Sequence, residues 1–212
     1  MRKTLLALLP LLFFLTSCDT DPNTYALIET DMGNIKVMLY PETPRHTENF
    51  VKLANEGYFD GTLFHRIISN FMIQGGDPDS KTAGPGQRLG GGGPGYTIPH
   101  EIGAPHIAGA LAAARTNNPE KASSGSQFYI VTGIQQVDSA LDQIERRKNF
   151  KYNETQRQLY KEKGGRPDLD GEYTVFGEVI EGMDVVMKIA TAEKDPADRP
   201  VQDISMKVSI VD

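Results

Sequence analysis

Near the end of the chain Ile204, Met206, Val208 and Ile210 alternate with polar neighbours, the two-residue period of a strand with one buried face. Strand-length apolar runs recur along the sequence. "YALIETDMGNIKVMLY" reads as two strands around an Asp31-Met32-Gly33-Asn34 turn. Residues 63–68 and 71–74 read as short strands parted by Ser69-Asn70, and residues 109–114, 127–132 and 173–179 as further strands. Two segments switch to helical spacing. "TPRHTENFVKLANEGYF" offers Thr43 as N-cap, Pro44 at the first helical position, Phe50, Leu53 and Ala54 on one face, and Gly57 as stop. "EGMDVVMKIATA" places Met183, Val186, Ile189 and Ala190 on one side. Many short strands with two flanking helices predict a mainly β fold, a closed barrel with plugged ends. Residues 138–165 do not fit it. They are charged and helix-prone, with Leu141, Ile144, Leu159 and Tyr160 as their apolar positions. They read as a helical pair inserted between strands, and the plainer expectation for such a segment is a solvated surface excursion.

The first residues follow a different logic. Arg2 and Lys3 precede an apolar run over residues 5–15, and Leu15-Thr16-Ser17-Cys18 follows. A basic start, a greasy stretch and small residues before a cut describe a secretory signal peptide over residues 1–17; the stretch is too short for a membrane-spanning helix, which needs about 20 residues. The Leu-Thr-Ser-Cys ending resembles the lipobox of bacterial lipoproteins, which implies cleavage before Cys18 and lipidation of its thiol. Cys18 is the only cysteine, so no internal disulfide can form. Residues 18–24 then make a polar leash, and residues 25–212 one domain. The expected location is the bacterial cell envelope, lipid-anchored and facing the periplasm. The formal net charge is −6, and removal of Arg2 and Lys3 makes it −8, which argues against a nucleic-acid partner.

Several chemistries drop out. No G-x-x-x-x-G-K-[ST] is present in the glycine-rich residues 83–95, no H-E-x-x-H or paired cysteines mark a metal site, and Ser126 in "SGSQ" is not a G-x-S-x-G elbow. No nucleophile–base pair for acyl transfer is legible. His65 beside Arg66 is a conceivable general base, but strand neighbours point to opposite faces, so His65 is expected to pack or cap inside.

Four stretches, in order, carry a resemblance: "TENFVKLANEGYFDGTLFHRIISNFMIQGGDP", "GPGYTIPHE", "GALAAARTNNPEKASSGSQFYIVTG" and "LDGEYTVFGEVIEGMDVV". Together they resemble the cyclophilins, the peptidyl-prolyl cis-trans isomerases. The resemblance implies an eight-stranded antiparallel barrel capped by two helices and an enzyme that needs no cofactor or metal. Its substrates would be proline-containing polypeptides, handled by a monomer during folding of exported proteins. It also implies a catalytic group of Arg66, Phe71, Met72 and Gln74, in which the arginine acts, the aromatic and thioether floor a proline pocket and the amide holds the substrate backbone. Ala114, Arg115, Thr116, Gln127, Tyr129, Leu169 and Tyr173 would bind substrate. Three departures stand out. The chain has no tryptophan, and Asp168 stands where some members carry an indole. Tyr173 replaces a histidine. The insertion ends just before Leu169, within reach of the pocket rim. A non-catalytic module that merely holds proline segments is the competing expectation.

Overall fold

The computed structural model describes residues 23–212; the expected signal peptide, Cys18 and most of the leash lie outside them. Eleven strands run as β1 (Thr24–Thr30), β2 (Gly33–Leu39), β3 (Thr62–Leu63), β4 (Arg66–Ile68), β5 (Met72–Gly75), β6 (Thr97–Ile98), β7 (Ala110–Ala113), β8 (Ser123–Ser124), β9 (Phe128–Val131), β10 (Val175–Glu181) and β11 (Ser205–Val211). The helices are α1 (Pro44–Asn55), α2 (Asp138–Lys148), α3 (Glu154–Glu162) and α4 (Met183–Ala190). Nine strands form one antiparallel sheet in the order β3-β11-β1-β2-β10-β7-β9-β5-β4, and β6 pairs with β8.

The expected closed, eight-stranded barrel is therefore corrected to an open, nine-stranded sheet. Its two end strands, β3 and β4, are separated in the chain by only Phe64 and His65, yet no ladder joins them among the described residues. The seam's donors are spent elsewhere: Phe64 N–H donates to the Ile204 carbonyl at 2.9 Å and Ile67 N–H to the Asp198 carbonyl at 2.8 Å.

Alternation along the strands sorts side chains onto two faces. Ile67, Ile73, Leu111, Ala113, Phe128 and Ile130 point into the main core, which they share with the buried faces of α1 (Phe50, Leu53, Ala54) and α4 (Val186, Ile189, Ala190). Full burial of each large apolar side chain there contributes about 1.5–3 kcal/mol. The other face of the same strands carries Met72, Ala110, Ala112, Ala114, Tyr129 and Val131, a second, smaller cluster. That outer face bears the candidate site.

Two sequence expectations change locally. Thr43 occupies the N-cap position of α1 but makes no side-chain cap; its hydroxyl donates to the Tyr40 carbonyl. The Glu101 carboxylate, distant in sequence, accepts the N–H groups of Arg45 and His46 at 3.2 and 3.1 Å instead, a favourable place for negative charge. The insertion does form a helical pair, α2 and α3, the latter opened by an Asn153–Gln156 capping box. It is not a solvated excursion, however. Arg157 bridges to Asp138, Asp142 and Glu145 of α2, and Leu141, Tyr152 and Tyr160 form a buried cluster against Ile107 of the main body. Gly165 pairs with both Ile107 and Ile134. With φ of +146° and the His106 carbonyl where a Cβ would sit, this position admits only glycine.

Candidate active site

Across β4, β5, β9 and β7 the register places Arg66 opposite Gln74, Gln74 opposite Tyr129, and Tyr129 opposite Ala112. One row of the outer face thus holds a cation, an amide and a phenol. The row beside it, Ile68–Met72–Val131, is apolar. Small residues at 110, 112 and 114 leave room above the sheet. The result is a cleft of about 620 Å³ lined by Arg66, Phe71, Met72, Gln74, Ala114, Arg115, Tyr129, Leu169 and Tyr173. All four expected catalytic residues meet there. Thr116 and Gln127 instead line an adjoining hollow of about 480 Å³, which shares Gln74, Ala114 and Arg115 with the first.

The polar groups run in one direction. Arg66 Nη1 donates to Gln74 Oε1 at 3.4 Å, Gln74 Nε2 to Gln127 Oε1 at 3.1 Å, and Gln127 Nε2 to the Gly92 carbonyl at 2.7 Å. Each amide is oriented by its neighbours, and the guanidinium keeps donors to spare. Gly92 is brought there because the loop wraps the fully buried Asp77, whose carboxylate accepts the N–H groups of Gly90 and Gly92. A Cβ at Gly92 would strike that carboxylate.

Aromatic groups form the floor and one wall. Tyr129 is stacked on His106 (centroids 6.1 Å apart) and meets Tyr173 edge-on at 5.9 Å; the Arg115 guanidinium lies 4.7 Å above Tyr173. Burial pushes the Tyr129 phenol well above its ordinary pKa. Asp168, at the position where the resemblance leads one to look for an indole, holds the Arg166 guanidinium with both oxygens at 2.8 and 2.7 Å, and Arg166 lies 4.0 Å over the Phe71 ring. Burial opposes the Asp168 charge, yet Arg166 holds its pKa below the usual carboxylate range.

Sequence reasoning missed part of the cleft. Residues 86–90, Asp195, Ala197 and Arg199 line it too, because buried Arg199 donates to the Gly84 and Gln87 carbonyls and draws two distant loops together. Of the loop glycines, Gly86 and Gly90 line the main cleft. His65 also borders it while buried, as expected, and burial lowers its pKa. The structure also assembles a serine–histidine–carboxylate chain that the sequence did not reveal. Ser123 Oγ lies 3.0 Å from His46 Nε2, and His46 Nδ1 lies 2.6 Å from Glu101. Ser123 is only 1% exposed, so no substrate carbonyl can reach it, and the hydrolase reading stays excluded.

Residues 25–210 match the family model described as cyclophilin type peptidyl-prolyl cis-trans isomerase/CLD. A Staphylococcus aureus (strain USA300) protein assigned as a peptidyl-prolyl cis-trans isomerase is 36% identical over 179 residues, covering 84% of this chain and 86% of its own. Its Staphylococcus saprophyticus counterpart is 37% identical over 185 residues, covering 85% and 87%. A cyclophilin-type isomerase from Cryptosporidium parvum superposes with a TM-score of 0.64 at 25% identity, covering 90% of this chain and 98% of its own. The same protein studied in the presence of the dipeptide Ala-Pro gives 0.63 at 25% identity, covering 89% and 99%.

Proposed function

Because the chain belongs to the cyclophilin-type peptidyl-prolyl cis-trans isomerases, enzymes that need no cofactor, we propose that Arg66 drives rotation about X-Pro bonds bound in the cleft described above. Amide resonance sets a barrier of about 18–20 kcal/mol, and unaided isomerisation takes tens to hundreds of seconds. Shortening ~100 s to ~1 ms removes about 7 kcal/mol from the barrier.

In the planar imide the prolyl nitrogen's lone pair is delocalised and accepts hydrogen bonds poorly. When the bond is half turned, the lone pair localises and becomes a good acceptor. A guanidinium N–H aimed at it binds the twisted state better than either planar one, which is what catalysis requires. Arginine suits the task because it stays charged and presents rigidly directed donors. One charge-assisted hydrogen bond contributes about 1.5–3 kcal/mol. The rest comes from holding the twisted geometry and excluding water, which strengthens the electrostatics. Phe71, Met72, Tyr129 and Leu169 receive the proline ring. Gln74 holds a substrate carbonyl or amide, with Ala114, Arg115, Thr116, Gln127 and Tyr173 contacting the flanking residues. The Ala-Pro dipeptide used with the Cryptosporidium protein is a ligand of the chemistry such a cleft would take.

The observation that carries this reading is the one-way chain from Arg66 through Gln74 and Gln127 to Gly92, set beside an apolar floor. A protease-free isomerase assay on a proline tetrapeptide tests it. Acceleration of cis–trans exchange at micromolar enzyme is expected; binding of the peptide without acceleration would leave only the holding module. The Leu-Thr-Ser-Cys stretch further supports a lipid-anchored envelope protein assisting folding of exported chains. Two or more acyl chains are needed for firm anchoring, and Cys18→Ser should move the protein from the membrane to the soluble fraction.

A further inference from the structure

Asp170 is 6% exposed and follows Leu169 directly. Its carboxylate is saturated. Oδ1 accepts the His106 backbone N–H and the His106 ring Nδ1–H, both at 2.8 Å. Oδ2 accepts the hydroxyls of Tyr152 and Tyr160, both at 2.6 Å. Its backbone carbonyl accepts Lys148 Nζ. Three of these partners, Lys148, Tyr152 and Tyr160, belong to the insertion.

The tie continues into the cleft. A carboxylate offers acceptors only, so His106 donates through Nδ1, and in the neutral ring Nε2 is left to accept. The Tyr129 hydroxyl lies 3.0 Å from it. Tyr129 in turn lines the cleft. Tyr160 is fully buried and Tyr152 is 8% exposed, so the two phenols have little access to water in exchange for Asp170. Arg166 supplies a second route. Its N–H donates to the His106 carbonyl at 2.8 Å, fixing the insertion's exit on the same histidine, while its guanidinium covers Phe71.

We propose that the helical insertion is a positioning element of the cleft: Tyr152 and Tyr160 act through Asp170 and His106 to fix the ring of Tyr129 beneath the proline. None of the four touches substrate. Small misplacement of groups around a reacting centre is costly to rate, so the insertion adjusts turnover from outside the cleft. This rests on the isomerase reading and extends it to residues that no cleft contact would reveal.

A mutant cycle in the full protein tests it. Tyr152→Phe/Tyr160→Phe keeps shape and removes both hydroxyls; Tyr129→Phe removes the receiving end. With Tyr129 present, the paired substitution is expected to lower kcat/KM on a proline tetrapeptide about three- to tenfold. In the Tyr129→Phe background the same pair should change it by less than about twofold, because the path is already cut. Thermal stability should fall by a similar amount in both backgrounds. Multiplicative losses, or stability loss with kcat/KM unchanged, would overturn the proposal. Should the pair not fold, Tyr160→Phe alone serves. If the wild type binds the peptide but catalyses nothing, the isomerase reading fails, and the cycle is read in peptide affinity with the same two outcomes. A protein that neither binds nor catalyses overturns both.

Discussion

Among the described residues, two hydroxyl–imidazole–carboxylate chains are buried with the same connectivity. In one, Ser123, His46 and Glu101 join α1 to the loop before β7; in the other, Tyr129, His106 and Asp170 join the cleft to the insertion. Each carboxylate also accepts the backbone N–H of its own histidine. What differs is the hydroxyl's owner. Ser123 is enclosed on all sides, so its chain ends in the fold. Tyr129 shows a ring to the cleft, so a change at Asp170 reaches the substrate. A triad-like arrangement is therefore no sign of acyl transfer here; it is a way of fixing orientation, and its consequence depends on what lies at the far end.

Breaking each chain at its carboxylate should separate them. Asp170→Ala strands His106 and two buried phenols, and unfolding measurements should show a loss of about 3–5 kcal/mol. In the protein that remains folded, kcat/KM should also fall. Glu101→Ala removes a helix cap and the His46 partner, which should cost about 1–3 kcal/mol in the same measurement. Its kcat/KM should stay within about twofold of wild type, since nothing it holds reaches the cleft. Equal activity losses in the two variants would erase the distinction.

Acid adds a test on two buried histidines, His46 on the Ser123 side and His65 at the edge of the cleft. Burial lowers the pKa of His46, outweighing the pull of Glu101, and burial lowers that of His65. The unfolded chain takes up protons on these rings near pH 6.5, before the folded one does. Stability should thus be fully present above about pH 6.5 and decline as pH falls from there towards the lower folded values. Thermal melts between about pH 7.5 and 5 should show this, and His65→Gln should flatten the slope. The smallest effect belongs to the second route from the insertion. Arg166→Leu removes a cation–π contact of about 0.5–2 kcal/mol, so KM for a proline peptide should rise a few-fold.

Much of this was legible in the sequence, for definite reasons. Arg66, Met72, Gln74 and Tyr129 are legible through the resemblance of the quoted stretches, while the strand pairing that sets them on one face is visible only in the fold. Closure was not legible, because it depends on where Phe64 and Ile67 spend their N–H groups. Thr43 does hold the N-cap position of α1, but the free N–H groups of its first turn are taken by Glu101, which no local pattern reveals because it lies far along the chain. The insertion read as charged and helical, which it is. Its fixation was hidden because two tyrosines and an aspartate look ordinary until folding sets them 2.6 Å apart. The cleft's far wall, Arg199 with residues 86–90, was hidden for the same reason.

The decisive test compares ground-state and transition-state binding on one peptide. Kd and catalysed exchange rate should be measured for the same proline peptide with wild type and Arg66→Ala. The expected result is an affinity within about threefold and a turnover lower by about tenfold or more. Parallel losses in both, or unchanged turnover, would contradict a guanidinium that acts on the half-turned bond.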